Sequence, residues 1–231
     1  YSRDSVFIGE NFTYVKDKID FTLSDINTDV VKTVELIRDG SVIDVIEGKE
    51  FSVSENGDYA IRVTDILDNS KDIKLNELFT DFNSSIITVD KELPVLSQYA
   101  DFTGESVVVD DVLYYTTDGT IQLKLEDGKS GIKDSSVVVK NKDGENINCT
   151  VENGVVNIDS KLFEDGSVVF VVSAMDNVGN VLENAEIKIN LLREFPNIVG
   201  KSHSRVYSNE NTSYFNTDTL EISLNGYDNY K

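Results

Sequence analysis

Apolar and polar residues alternate along most of this chain. In "KIDFTLSD" Ile19, Phe21 and Leu23 share one face, and in "TIQLKLEDG" Ile121, Leu123 and Leu125 do the same. A period of two is the mark of a strand with one face buried. Comparable runs rich in Val, Ile, Thr, Phe and Tyr are "VKTVELIRDG", "DYAIRVTD", "SSVVVKNKDG", "GSVVFVVSA", "AEIKINLL" and "TLEISLNG". Between them stand Asp39-Gly40, Asn56-Gly57, Asp143-Gly144, Asn153-Gly154 and Asp165-Gly166. Such dipeptides supply the positive φ angles of tight hairpins. Many short strands joined in this way predict an all-β sandwich or barrel. One segment differs: Leu75, Leu78, Phe79 and Phe82 fall at helical spacing, which predicts a short helix with Asn76 as its N-cap.

The pattern repeats. "YVKDKIDFTLSD" begins at Tyr14, "YTTDGTIQLKLED" at Tyr115 and "FNTDTLEISLNG" at Phe215, each an aromatic residue, an Asp three places on, then an alternating strand. Pro94 and Pro196 keep the same period, and proline suits the start of a module after a linker. The expected modules are 1–92, 93–194 and a third, incomplete one at 195–231. The last is too short to bury a core by itself.

A second repeat is local. "DGSVVFVVSAMDNVGN" aligns with "NGDYAIRVTDILDN" on the Asp that ends each apolar run. Tyr59, Ile61 and Val63 then match Phe170, Val172 and Ala174 as inward residues, and Asn69 and Asn180 each follow their Asp by four. The Asp carboxylate is expected to accept turn N–H groups, Gly179 to take a positive φ, and Asn180 to cap the return. In the first copy Asp68 occupies the Gly position, and Asp does enter the left-handed region.

These residues carry a resemblance. "FVVSAMDNVGNVLE" resembles the penultimate strand and hairpin of bacterial immunoglobulin-like (Big-type) repeats, "ITVDKELP" their last strand and linker, and "DGKSGIKDSSVVV" the loop and strand before the middle of the sandwich. The resemblance implies tandem seven-stranded immunoglobulin-like β-sandwich modules on surface or secreted proteins of Gram-positive bacteria. It specifies fold far better than function, because such modules serve as stalks, adhesins and enzyme appendages. The first module departs from the pattern by extra residues at about 70–85, which contain the helical stripe. An insertion is a natural place for a ligand site, with Leu75, Leu78, Phe79 and Phe82 as its residues; the other reading is a cover for a sheet edge.

Composition narrows the function. The 231 residues carry a formal net charge of −21. Such a surface repels nucleic acid and anionic lipid and attracts cations. Apolar residues make up 39%, enough for real cores. Cys149 is the one cysteine, so no intrachain disulfide forms, and with no base beside it Cys149 is a strand residue rather than a nucleophile. No apolar run is long enough to span a membrane. The opening "YSRDSVFIG" has no signal-peptide pattern and reads as part of a longer protein.

Catalytic signatures are absent from the sequence. The single histidine, His203, has no partner for zinc, and no nucleophile elbow or phosphate loop is present. Among 42 acidic residues, adjacent carboxylates identify no glycosidase pair. Calcium is the ion with geometry behind it. In an immunoglobulin-like sandwich the loops after the second and sixth strands lie at the end where the chain enters. Asp90 and Glu92 of the linker, Asp127 of the first loop, and Asp176 and Asn177 of the other could then converge, and Ca²⁺ takes six to eight oxygens. Ordinary turn chemistry is the competing reading of the same residues. Glu194 and Asp228 are the equivalents at the next joint. Some sandwiches that this chain resembles carry a Lys–Asn isopeptide crosslink, for which Lys16, Lys18 and Lys124 stand in early strands, Lys124 facing outward.

No cofactor is required by this reading. The expected function is that of a non-catalytic extracellular stalk or adhesin segment. It would space or present a functional domain, with further modules of the same chain, and a host glycan or matrix protein, as partners. Two alternatives stay open: an accessory region of a large secreted glycan-degrading enzyme or protease, and a carbohydrate- or protein-binding module.

Overall fold

The computed structural model describes residues 5–24 and 26–193, and beyond them the backbone of four strands. The architecture is all-β, with immunoglobulin-like sandwiches built around two apolar cores.

In the first sandwich the larger sheet runs Val6–Ile8, Thr13–Val15, Ile86–Val89, Gly57–Asp65, Val31–Arg38, Ser41–Val45. The facing pair is Ile19–Thr22 with Glu50–Val53. Ile19, Phe21, Phe51, Val53, Tyr59, Ile61 and Ile87 fill the space between them. In the second sandwich one sheet runs Ser106–Val109, Val112–Tyr115, Val181–Leu191, Gly166–Met175, Val138–Lys140. The other runs Val95–Leu96, Thr120–Glu126, Val155–Asp159, Thr150–Glu152. Ile121, Leu123, Leu125, Val156, Ile158, Phe170 and Val172 are buried between them. The alternation in the sequence and the burial in the fold agree because a side-chain period of two leaves one face for the core. Past residue 193, Asn197–Lys201 pairs with Glu221–Asn225, and Arg205–Ser208 with Ser213–Phe215.

The repeat is closer in three dimensions than in letters, and it shifts one alignment. Val15 pairs with Val89 in parallel, and the next N–H, of Asp90, donates to Val15 O at 2.8 Å. Tyr115 pairs with Leu191 in parallel, and the N–H of Leu192 donates to Tyr115 O at 2.8 Å. The partner of Tyr115 is therefore Val15 and not Tyr14. Val15 is fully buried, whereas Tyr14 lies on the other face, stacked on Phe7. Facing decides equivalence, and the aromatic letter misleads by one residue.

The turn dipeptides divide in the same way. Asp39-Gly40 and Asn153-Gly154 have positive φ at both residues, as a tight two-residue hairpin turn requires. Asn56-Gly57 does not. Gly57 opens a strand, and Asn56 Oδ1 accepts the N–H of Val89 at 2.7 Å. A Cβ at Gly57 would lie 2.5 Å from Arg38 Cγ, so close approach and not a turn calls for glycine there.

The insertion splits the last strand of the first sandwich. Ser70–Lys74 pairs with Gly57–Asp65 as far as Ala60↔Lys74; the chain leaves the sheet and returns at Asp58↔Ile86. In the second sandwich the corresponding strand, Val181–Leu191, runs uninterrupted. The helix within the excursion is the single turn Leu75–Leu78. Its N-cap is Lys74 and not Asn76, because the strand continues to Lys74 with extended dihedrals; Asn76 Oδ1 is buried without a partner.

Candidate functional site

The strands Gly57–Asp65 and Gly166–Met175 end in the same construction. Asp176 Oδ1 accepts the N–H of Val178 at 2.9 Å and of Asn180 at 2.8 Å, and Oδ2 accepts Asn180 Nδ2 at 2.7 Å. Asp65 Oδ1 accepts the N–H of Leu67 at 2.8 Å and of Asn69 at 2.9 Å, and Oδ2 accepts Asn69 Nδ2 at 2.9 Å. Asp68 and Gly179 both have positive φ, 68° and 92°. Each Asp is thus the keystone of its turn. These hydrogen bonds, the Asn69 side chain first, hold the Asp65 carboxyl below its ordinary value. The environments differ sharply: Leu67 is 77% exposed, whereas its counterpart Val178 is 1% exposed.

The difference arises at the joint. The strand Ile86–Val89 delivers Asp90 to the loops of the second sandwich, and the residue is fully buried there. Asp90 Oδ2 accepts the N–H of Ser130 at 3.0 Å, and Asp90 O accepts Asn180 Nδ2 at 2.9 Å. Asp90 Oδ1 accepts the N–H of Glu92 at 3.1 Å. Two ammonium groups also cross: Lys16 Nζ donates to Gly179 O at 2.7 Å, and Lys129 Nζ to Val89 O at 3.3 Å. The two loops of the second sandwich are tied to one another as well. Asn177 N donates to Gly131 O at 3.0 Å, and Asn177 Nδ2 to Ser130 O at 2.8 Å.

Three of the candidate metal residues meet in this joint. A carboxylate oxygen from each of Asp90, Asp127 and Asp176 lies within 4.8 Å of the others. Asp127 Oδ1 is engaged by the N–H groups of Lys129 and Gly131, at 3.1 and 2.9 Å, while Oδ2 is buried without a partner. Ionised, the three carboxylates would repel one another by roughly 3 kcal/mol per pair at an effective dielectric of about 20. Among the described residues no ion pair reaches any of them.

The other two candidates point elsewhere. Glu92 is exposed, and its Oε1 pairs with Lys129 Nζ at 3.2 Å. Asn177 directs its Nδ2 at the carbonyls of Ser130, Gly131 and Ile132, so its amide ties the two loops together. Glu194, Asp228 and His203 lie outside the described residues. Leu192, at the exit of the second sandwich, stands in the place that Asp90 holds at the exit of the first, as their matching N–H bonds show. Two further residues of the joint, Ser130 and Asn180, were not among the candidate metal residues. Their signal was present, since both follow a candidate Asp within one turn.

The insertion places its apolar stripe inward. Leu75 and Phe82 are buried in the first core, and Phe79 packs against it. Phe21 lies 4.8 Å from Phe79 and 5.9 Å from Phe82, centroid to centroid. Of the four candidate ligand-binding residues only Leu78 is exposed. Three of them therefore serve as the lid of a core, because an apolar stripe beside an open sandwich end is worth more buried than free.

The candidate crosslinking lysines are also engaged: Lys16 as above, Lys18 with Asp20 at 2.9 Å, and Lys124 with Glu126 at 2.6 Å, the last two on the surface. Exposure of Lys18 and Lys124 removes the buried setting that an isopeptide needs. Cys149 is half-buried beside the second core, and burial pushes its thiol pKa up, away from nucleophile chemistry.

No protein-family model matches the sequence, and no curated protein does. Among solved structures the chain is similar to fibronectin(III)-like modules of CbhA from Clostridium thermocellum, at 14% identity over 80% of this chain and 91% of that one, TM-score 0.37. It is similar to extracellular domains 3–5 of Drosophila OTK, at 13% identity over 90% and 70%, TM-score 0.27. A third, SGBP-B of the Bacteroides ovatus mixed-linkage glucan utilization locus in complex with a mixed-linkage heptasaccharide, has 12% identity over 90% and 47%, TM-score 0.22. The class defined by this chain's own strand order and burial is the immunoglobulin-like β-sandwich.

Proposed function

We propose that this chain is a non-catalytic segment of an extracellular bacterial rod, in which sandwiches in tandem hold a functional domain away from a surface. The modules are 1–92 and 93–194, followed by the start of a third. The observation that supports this reading is the joint at Asp90. A flexible tether would leave its linker exposed; here the linker's acidic residue is buried and bonded through both its carboxylate and its carbonyl to the loops of the next sandwich. Such bonding makes two modules one body, which is what a spacer needs. Mechanical resistance follows from the non-local parallel pairings that tie the early and last strands of each sandwich, Val15↔Val89 and Tyr115↔Leu191.

Amide ¹⁵N relaxation on the 231-residue chain tests the reading. Residues of the two sandwiches should share one rotational correlation time and one diffusion tensor. Two separate correlation times, each that of a single sandwich tumbling alone, would remove the rod.

A further inference from the structure

We propose that the Asp90–Asp127–Asp176 cluster is a divalent-cation site, selective for Ca²⁺, that closes the joint between the two sandwiches. The inference rests on the rod reading for its purpose and on separate observations for its chemistry.

Oxygens bound to one Ca²⁺ at about 2.3–2.6 Å lie no more than about 5 Å apart. The three carboxylate oxygens, all within 4.8 Å of one another, satisfy that limit. They come from three separate segments: the linker, the loop after Thr120–Glu126 and the turn after Gly166–Met175. Proximity of acids alone would say little in so acidic a chain. Two buried atoms say more. Asp127 Oδ2 has no hydrogen-bond partner. Ser130 is 3% exposed, its N–H holds Asp90 Oδ2, and its hydroxyl also lacks a partner. Buried polar atoms are almost always satisfied, and an unsatisfied carboxylate oxygen and hydroxyl at one cluster point to a missing ligand.

The donors choose the ion. All are hard oxygens, with neither His nor Cys in the cluster, which disfavours zinc. Mg²⁺ keeps several of its waters and demands near-ideal octahedral geometry, which a buried set held by turn N–H groups does not offer. Ca²⁺ tolerates the irregular set and completes its shell with the Ser130 hydroxyl and water. The nearby ammonium groups do not substitute for it, since Lys129 bonds to Glu92 and Val89 O, and Lys16 to Gly179 O. At the exit of the second sandwich Leu192 stands in the place of Asp90, so the linker carboxylate of this site has no counterpart among the described residues.

The test is calorimetric titration of CaCl₂ into the chelator-stripped 231-residue chain, paired with thermal melting in Ca²⁺ and in EDTA. One saturable site and a higher melting temperature in Ca²⁺ are expected. Asp127→Asn keeps an oxygen for the Lys129 and Gly131 N–H groups but loses the free charge, and it should abolish both effects. Asp143→Asn removes the same charge from an exposed turn and should change neither. No heat and no shift for the wild-type chain, or equal responses in Asp127→Asn, overturns the site. Relaxation is recorded with and without CaCl₂: two correlation times in both states would sink the rod, whereas one correlation time with no Ca²⁺ binding would sink the site and spare the rod.

Discussion

The side-chain amide of Asn180 donates to the main-chain carbonyl of Asp90 at 2.9 Å and to the carboxylate of Asp176 at 2.7 Å. One residue therefore finishes a turn within the second sandwich and grips the linker that leaves the first. Its counterpart Asn69 makes the turn bond alone among these contacts. The same local motif serves two ends, and among the described residues one of them meets the linker of another sandwich.

Asn180→Ala strips both donors. A buried carboxylate oxygen and a buried carbonyl lose their partner, at a cost of about 2 kcal/mol. Chemical denaturation should show that loss, and relaxation should show the two sandwiches beginning to tumble apart. Asn69→Ala should lower stability less and leave the joint intact.

Asp176→Ala and Asp65→Ala delete the same three hydrogen bonds in different surroundings. At Asp176 the freed N–H groups are buried, and a loss of about 3 kcal/mol is expected. At Asp65 water replaces the carboxylate, so the loss is smaller. Parallel melting of the two variants checks the order.

Asp20, Asp65 and Asp72 are all held below the ordinary carboxylate value, first by hydrogen bonds from Ser52, Asn69 and Arg62 respectively. A lowered folded-state value means that their contribution is present above the unfolded value of about 3.9 and is lost as pH falls through the folded one. The first sandwich should therefore lose stability as pH drops below about 4. Melting from mildly acidic pH down through that window, with carbon-detected titration of the Asp65 carboxyl, would show it; a carboxyl that titrates at the ordinary value would contradict it.

Phe82→Ala opens the core beneath the insertion and should cost about 3–4 kcal/mol. Leu78→Ser changes an exposed residue and should stay within about 0.5 kcal/mol. Urea denaturation of the pair separates a core lid from a ligand surface.

Arg193 closes the far end of the second sandwich. Its guanidinium reaches Asp165 Oδ1 at 2.8 Å, Asp118 Oδ1 at 3.0 Å and the carbonyl of Ser160 at 3.1 Å. Lys has no planar fork to span these acceptors. Arg193→Lys should lower stability by about 2 kcal/mol in denaturant titration.

The strands were legible because their information is local. Ile121, Leu123 and Leu125 alternate in the sequence and are buried in the fold for the same reason. The turn keystones Asp65 and Asp176 were legible through the Asn four residues on. The equivalence of Tyr14 with Tyr115 was not, because identity of letter competed with facing and facing prevailed. Asn76 as an N-cap failed because a strand, not a loop, leads into the helix.

The sequence by itself determined which faces are apolar, where the chain turns and that the plan recurs, since each follows from residues a few places apart. Tertiary structure decided which of the five expected side chains at the joint actually meet. Asp90 reaches Asp127 and Asp176 because strand pairing at Val15↔Val89 sets where the linker emerges. Glu92, two residues further on, is left to solvent and Lys129. Convergence of that kind depends on how two sandwiches dock, and no local period in the sequence encodes it.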